Sequence, residues 1–326
     1  MIRYQLGAGA AGVLWAMSPI HEVVSLARLL TEPQRHRVYE PWLRRRRHRL
    51  KDVDLSALTV FMSDGAYRPD FLDPPPPHPE PTFEEGVEAL LATPTDQVHA
   101  ELVDAFRGRS GEAAERLTGS PERTKVEAAG AIMRLWRAAV EPEWPSMRQA
   151  LRAELLDRAL QTSREGLRSV VGRLHPSVEY RESTLTVDTS VYVDSACPDG
   201  LVLIPSLFIT DRVQCSTSDH WGPAICYPAP GRYLWSRPVP PASLEQLLGR
   251  TRSKILAAIA VTPLQTSVVA ALVDVTAPTA SEHLAVLRKA GLIDTSRSGR
   301  TAIHELSASG RVLLGGGPGR GTVKAD

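Results

Sequence analysis

Apolar positions recur along this chain with two alternating periods, and the changes of period divide it. Ile2 to Leu6 alternates as a short strand, and Ser18 and Pro19 then open a helix whose Ile20, Val23, Val24, Ala27 and Leu30 share one face. A second helix is expected from Pro33 towards Leu50. Residues 69–82, PDFLDPPPPHPEPT, cannot continue a helix, so a proline-rich hinge running extended over the surface is expected there, as a linker or an ordered loop rather than a ligand for a proline-reading domain. Helical spacing returns from Phe83 to about Leu174, with breaks near Pro94, Gly108 to Gly111, Pro121 and Pro142 to Pro145. In the last of these helices Leu151, Leu155 and Ala159, followed by Leu167, Val170, Val171 and Leu174, make a stripe suited to a core or to a dimer seam. Between Val178 and Trp235 the period falls to two, through LVLIPSLFI, VQCSTS, AICYPA and RYLW, which predicts a small antiparallel sheet. Pro238, Pro240 and Pro241 then stiffen a connector into Ser243, a residue type that caps helices.

The C-terminal pattern is more specific. Ile255, Leu256, Ile259 and Ala260 repeat at helical spacing; Pro263 and Thr266 interrupt; and a second short helix follows through Val268, Val269, Leu272 and Val273. Thr276 suits the cap of a third helix, whose first turn tolerates Pro278 because the missing amide there has no partner in any case. On that helix Ala280, Leu284 and Leu287 share one face, which leaves Pro278, Thr279, Ser281, Glu282, Ala285 and Lys289 facing outward. A helix enters the major groove only if its exposed side is small and polar, and Thr279, Ser281 and Glu282 meet that need. Gly291 stops the helix, and Leu292 to Thr295 and Thr301 to Leu306 then alternate as two strands joined by Ser296, Arg297, Ser298, Gly299 and Arg300. Arg297 and Arg300 at such a tip suit phosphates or a narrow minor groove, which adds affinity more than sequence choice. The implied partner is double-stranded DNA.

The run TASEHLAVLRKAGLI, followed by an SGR turn and a short strand, resembles the ArsR/SmtB type of winged helix-turn-helix regulators. That resemblance implies a cytoplasmic transcriptional repressor acting as a homodimer on operator DNA. It implies base reading by Thr279, Ser281 and Glu282, with His283 and Arg288 at flanking positions nearer the backbone. Metal-sensing members of the family carry cysteines on the second helix or carboxylates and histidines on the last. Here the second helix is TSVVAALVD, with no cysteine, so no metal is expected. The stretches SPIHEVVSLARLL, PWLRRRRHRL, RPDFLDPPPP and YPAPGRYLW extend the resemblance to a group of long regulators of this type from high-GC bacteria. No ligand is implied by that group.

The expected fold class is therefore a multidomain α+β chain. It has a mostly helical N-terminal region over 1–176 with the proline-rich hinge 69–82, a small antiparallel β-sheet region and proline connector over 177–241, a winged helix-turn-helix over 242–314, and a disordered tail over 315–326. Composition is that of an ordinary globular chain, 43% hydrophobic and 23% charged. Its net charge of +1 hides a local excess, because residues 250–306 hold seven Arg or Lys against four acids. A module that meets phosphates should be basic in this way. The densest charge is the run Arg44 to Arg47, His48, Arg49 and Lys51; it suits either a second DNA contact or a solvated helix face, the latter favoured because the chain uses 33 Arg, five Lys and no Asn.

Cys197, Cys215 and Cys226 are too few and too far apart for a disulfide framework or a zinc site, which fits a reducing compartment. The apolar run Leu6 to Met17 is short and rich in Gly and Ala for a signal peptide, and no run reaches the roughly 20 residues of a membrane span. Trp221, Tyr227, Tyr233 and Trp235 suit either plain core or the wall of a pocket for a flat small-molecule effector, with Asp219 and His220 beside them. HExxH, GxSxG and Walker motifs are absent, so no enzyme and no cofactor are expected. A winged helix turned to protein contact, or an enzyme fused to a regulatory module, are the competing functions.

Overall fold

The computed structural model describes residues 1–6, 12–31, 39–62, 67–108, 111–189, 191–197, 200–209, 212–216, 220–229, 242–260, 263–298 and 301–314. The chain forms two compact units, one of residues 1–36 and 46–232, the other of 37–45 and 233–326.

The first unit opens with β1 (Ile2–Leu6) and β2 (Val13–Trp15), which lead into α1 (Pro19–Thr31). Helix α2 (Glu40–Leu50) follows, the expected start at Pro33 lying outside the described residues, and its residues up to Arg45 belong to the second unit. Next come α3 (Ser56–Thr59), α4 (Phe83–Ala92), α5 (Thr95–Ala105), α6 (Glu112–Thr118), α7 (Pro121–Leu135), α8 (Trp144–Glu165) and α9 (Leu167–Val171). Helix α1 is buried from Pro19 to Ala27. A helix hydrophobic on most sides belongs at the centre of a bundle, and α1 packs on α3, α4 and α7. Helix α4 is held by a capping box, in which the Thr82 hydroxyl accepts from the Glu85 amide and the Glu85 carboxylate accepts from the Thr82 amide. Its Phe83 stacks on Trp136 with ring centroids 4.2 Å apart. The break expected at Pro142 to Pro145 is absorbed without leaving helical backbone, by a π turn at Trp136–Val140 and a 3-10 turn at Glu141–Glu143. On α8 Leu151 and Leu155 enter the core, whereas Ala159 is exposed.

Two expectations for this unit are corrected. The proline-rich segment is no hinge: both its ends lie in the same unit, Asp70–Leu72 forms a 3-10 turn, and Phe71 and Leu72 are fully buried along with Pro74, Pro76 and Pro81. A proline brings no amide that needs a partner, so its ring can be buried cheaply. The sheet is likewise not one small antiparallel sheet. Strands β3 (Val178–Arg181), β4 (Thr184–Val187), β5 (Val193–Cys197), β6 (Leu201–Ser206), β7 (Gln214–Ser216) and β8 (Ala224–Pro228) join β1 and β2 in two four-stranded mixed sheets, of order β3-β4-β1-β5 and β2-β6-β8-β7. Strand β1 lies antiparallel to β4, with Tyr4 opposite Leu185, and parallel to β5; β6 is parallel to both β2 and β8. Strands from the two ends of the unit share one core of Ile2, Tyr4, Leu185, Val187, Leu203 and Ile225, so residues 1–176 and 177–229 do not separate. Alternation identifies a strand, but it does not state the partner or its direction.

The second unit holds α10 (Ala242–Leu248), α11 (Arg250–Ile259), β9 (Leu264–Gln265), α12 (Thr266–Val273), α13 (Ala277–Lys289), β10 (Ile293–Ser298), β11 (Thr301–Leu306) and α14 (Ala308–Leu313). Leu244, Ile255, Leu256, Ile259, Val269 and Leu272 form a core with Ala280, Leu284 and Leu287. The proline connector and the tail 315–326 lie outside the described residues. Among the described residues no helix is long and apolar enough to cross a membrane.

Candidate nucleic-acid interface

Helix α13 is set in place by its neighbours at both ends and along one side. Asp274 takes a left-handed conformation (φ 58°, ψ 53°) that ends α12, while the Val275 amide donates back to the Ala270 carbonyl at 3.1 Å. Two residues later Thr276, in extended backbone, caps α13 by accepting from the Thr279 amide at 3.4 Å, and Pro278 falls in the first turn as its sequence position predicts. At the other end the Gly291 amide donates to Arg288 (2.9 Å) and the Leu292 amide to Leu287 (3.0 Å), with Gly291 at φ 70°. These are the two bonds of a Schellman stop, which needs a residue without a Cβ at this point. The same stop aims the chain directly into β10.

The buried stripe of Ala280, Leu284 and Leu287 fixes which side of α13 is outward. Pro278, Ser281, Glu282, Ala285, Arg288 and Lys289 are exposed, and His283 is half-buried. Thr279 departs from expectation: it is half-buried, and its hydroxyl lies 2.9 Å from that of Thr276. Its bonding capacity is partly committed to the cap, which leaves Ser281 and Glu282 as the freer polar groups. Val286, 46% exposed, adds an apolar side chain to this surface.

Strands β10 and β11 pair antiparallel from Ile293 opposite Leu306 to Ser298 opposite Thr301, so the hairpin runs three residues further than the first strand's alternation had indicated. The backbone positions of Arg297 and Ser298 are thereby placed at its far end. Their side chains, and Gly299 and Arg300, lie outside the described residues. A third strand, β9, completes the sheet, with Leu264 opposite His304.

His304 is the structural residue that the sequence did not announce. It is 6% exposed, with Nε2 2.9 Å from the Thr266 hydroxyl at the start of α12 and Nδ1 3.0 Å from the Thr295 hydroxyl on β10. One imidazole thus ties the hairpin to the helix pair. Burial, and then the nearby Arg288 guanidinium, hold it below the ordinary imidazole range.

The other candidates divide. Tyr227 is fully buried, packed edge-on to Trp15 and with its hydroxyl 3.4 Å from Glu154 Oε1, so it belongs to the core of the first unit rather than to a pocket wall. Trp221 is half-buried against the ring of His220, while Asp219, Tyr233 and Trp235 lie outside the described residues. On α2 Arg44, Arg45, Arg47, His48 and Arg49 are exposed, and Arg46 is ion-paired with Glu143. Burial pushes the Cys215 thiol up to about 11. A buried polar cluster escaped the sequence reading altogether: His21 Nδ1 lies 2.5 Å from Asp73 and 3.5 Å from the Cys226 sulfur, and Nε2 lies 3.1 Å from Ser25. With His21 1% and Cys226 7% exposed, no substrate reaches this cluster, and its members are too far apart in sequence to form a motif. Among the described residues no group of three or more side chains suits a metal ion.

Two packed helices followed by a third with a polar outer face and then a hairpin define a helix-turn-helix module. The family model described as bacterial regulatory protein, arsR family, matches residues 249–295, within this unit. The chain thus carries an ArsR-type helix-turn-helix domain at its C-terminal end, which suggests DNA-binding transcription regulation. No curated protein and no solved structure matches the chain.

Proposed function

We propose that the protein is a cytoplasmic transcriptional repressor that binds operator DNA as a homodimer through a winged helix-turn-helix, under control of a small-molecule effector bound in the first unit. The observation that carries this reading is the outer face of α13, small and polar at Ser281 and Glu282, cationic at Arg288 and Lys289, and followed without slack by a hairpin. Dimerisation is supported by exposed apolar side chains on α10 (Leu247, 67% exposed) and α14 (Val312, 63% exposed), which a second copy would cover. Two such helices then meet successive major grooves about 34 Å apart on a near-palindromic site. Repression is the default role of the matched family. An effector acts only through different affinities for the two dimer geometries, on a scale of about 1 to 3 kcal/mol.

The test is a gel shift against the DNA upstream of its own gene. Replacing Ser281 or Glu282 by Ala should change the preference among operator variants by about 1 to 3 kcal/mol per affected base pair. If both variants rank the operators as the native protein does, α13 is not the reading helix.

A further inference from the structure

A cavity of about 530 Å³ opens in the first unit beside the turn at Asp70, helix α5 and the segment that carries Val191 and Val193. Its polar end holds two carboxyl groups. Glu101 is 4% exposed and fixed by neutral donors, the Gln97 side chain on Oε1 (2.8 Å) and the Phe71 amide on Oε2 (2.7 Å). Asp70 accepts from the Tyr67 hydroxyl on Oδ2 at 3.1 Å, and its other oxygen has no hydrogen bond among the described residues. The nearby cations are committed elsewhere: Arg107 pairs with Asp104 on the rim, and Arg68 pairs with Asp73 at 2.8 Å. The remaining wall is Ala100, Val191 and Val193 together with the His220 imidazole. A floor of two close acids, neither ion-paired with a guanidinium or ammonium group among the described residues, opposite a wall that is apolar apart from His220, is complementary to a molecule with a positive end and a hydrocarbon body.

We propose that this cavity binds a small organic cation, a protonated amine whose ammonium group sits on Asp70 and Glu101 and whose body lies against Val191 and Val193. This assignment does not rest on the DNA-binding reading. A metal ion fits less well, because the described residues offer no group of three ligands. Burial, then Glu101 and Asp73, raise the Asp70 carboxyl to about 7, against the lowering effects of Arg68 and Tyr67; burial also raises Glu101, against its hydrogen-bond donors and His220. Below about pH 7 the Asp70 carboxyl therefore carries a proton that an ammonium group displaces. Binding should release a proton near neutral pH and be about tenfold tighter at pH 8 than at pH 6.

Isothermal titration of the full chain, without DNA, decides the matter with phenethylamine, agmatine and spermidine as probes and phenylpropionate and phenethyl alcohol as anionic and neutral counterparts. The expected result is binding of at least one amine and of neither counterpart, with heats that depend on the ionisation enthalpy of the buffer. Asp70→Asn should weaken that binding tenfold or more while leaving the melting curve in place. Should Asp70→Asn fail to fold, the pH dependence of the unaltered protein carries the same decision. The proposal is overturned if no amine binds, if phenethyl alcohol binds as well as phenethylamine, if affinity is the same at pH 6 and pH 8, or if Ca²⁺ or Zn²⁺ binds where the amines do not.

Discussion

At the scale of single residues, the histidine inside the hairpin is the most consequential. His304 accepts and donates between two threonine hydroxyls on different elements, so removing it leaves both Thr266 and Thr295 without that partner. His304→Ala should cost about 1 to 3 kcal/mol of stability in the second unit. The pH dependence has a definite sign. In the unfolded chain the imidazole takes a proton near its ordinary pKa of about 6.5, whereas the folded environment resists protonation to lower pH. Its contribution is therefore complete above that value and is lost as the pH falls from about 6.5 through the lower folded pKa. Thermal melts followed at pH 7.5 and 5.5 should show this loss, and His304→Gln, which carries no titrating proton, should reduce it. An identical acid response in the variant would place the titrating group elsewhere; buried His21, also held below its ordinary range by desolvation, is the next choice.

At the scale of elements, α13 and the hairpin make separable contributions to the proposed complex. The tip arginines meet phosphates in the proposed complex, whereas α13 meets base edges. Replacing Arg297 and Arg300 together by Ala removes four arginines from the proposed dimer, so it should weaken specific and random duplexes alike and lower the salt slope of binding by about 4, measured by gel shift across a salt series. An unchanged slope would take the hairpin out of the contact set. Helix α13 was legible in the sequence because one spacing, Ala280, Leu284 and Leu287, fixes both its length and its outer face. Strand β9 was not legible, because two residues carry no period and Leu264 and Gln265 become a strand only by pairing with β11. The hydroxyl pair of Thr276 and Thr279 escaped for a related reason: a cap and a base reader use the same residue type, and only geometry separates them. The amine cavity lay furthest from view, since Asp70, Glu101, Val191 and His220 meet only through the tertiary fold.

At the scale of the whole molecule, the strand pattern between Val178 and Pro228 is legible but suggests one antiparallel sheet, whereas two mixed sheets form because β1 and β2, from the first fifteen residues, join them. Assembly beyond one chain is the prediction that belongs here. Sedimentation should give a dimer, and Leu247→Glu with Val312→Glu should shift it to monomer and abolish cooperative binding to a two-half-site operator, while leaving the melting curve nearly unchanged because both side chains are already exposed. A dimer unaffected by these changes would move the contact to another face. The placement of β1 between β4 and β5 has a further consequence, for the order of events during synthesis. Strand β1 is an inner strand of its sheet, and during synthesis it waits unpaired until residues 184–197 have followed it. The helices and hairpin of residues 242–314 close on near neighbours in sequence and have no such delay, so on dilution from denaturant they should regain structure first, with the long chain closures that bring in β1 and residues 37–45 as the slow steps.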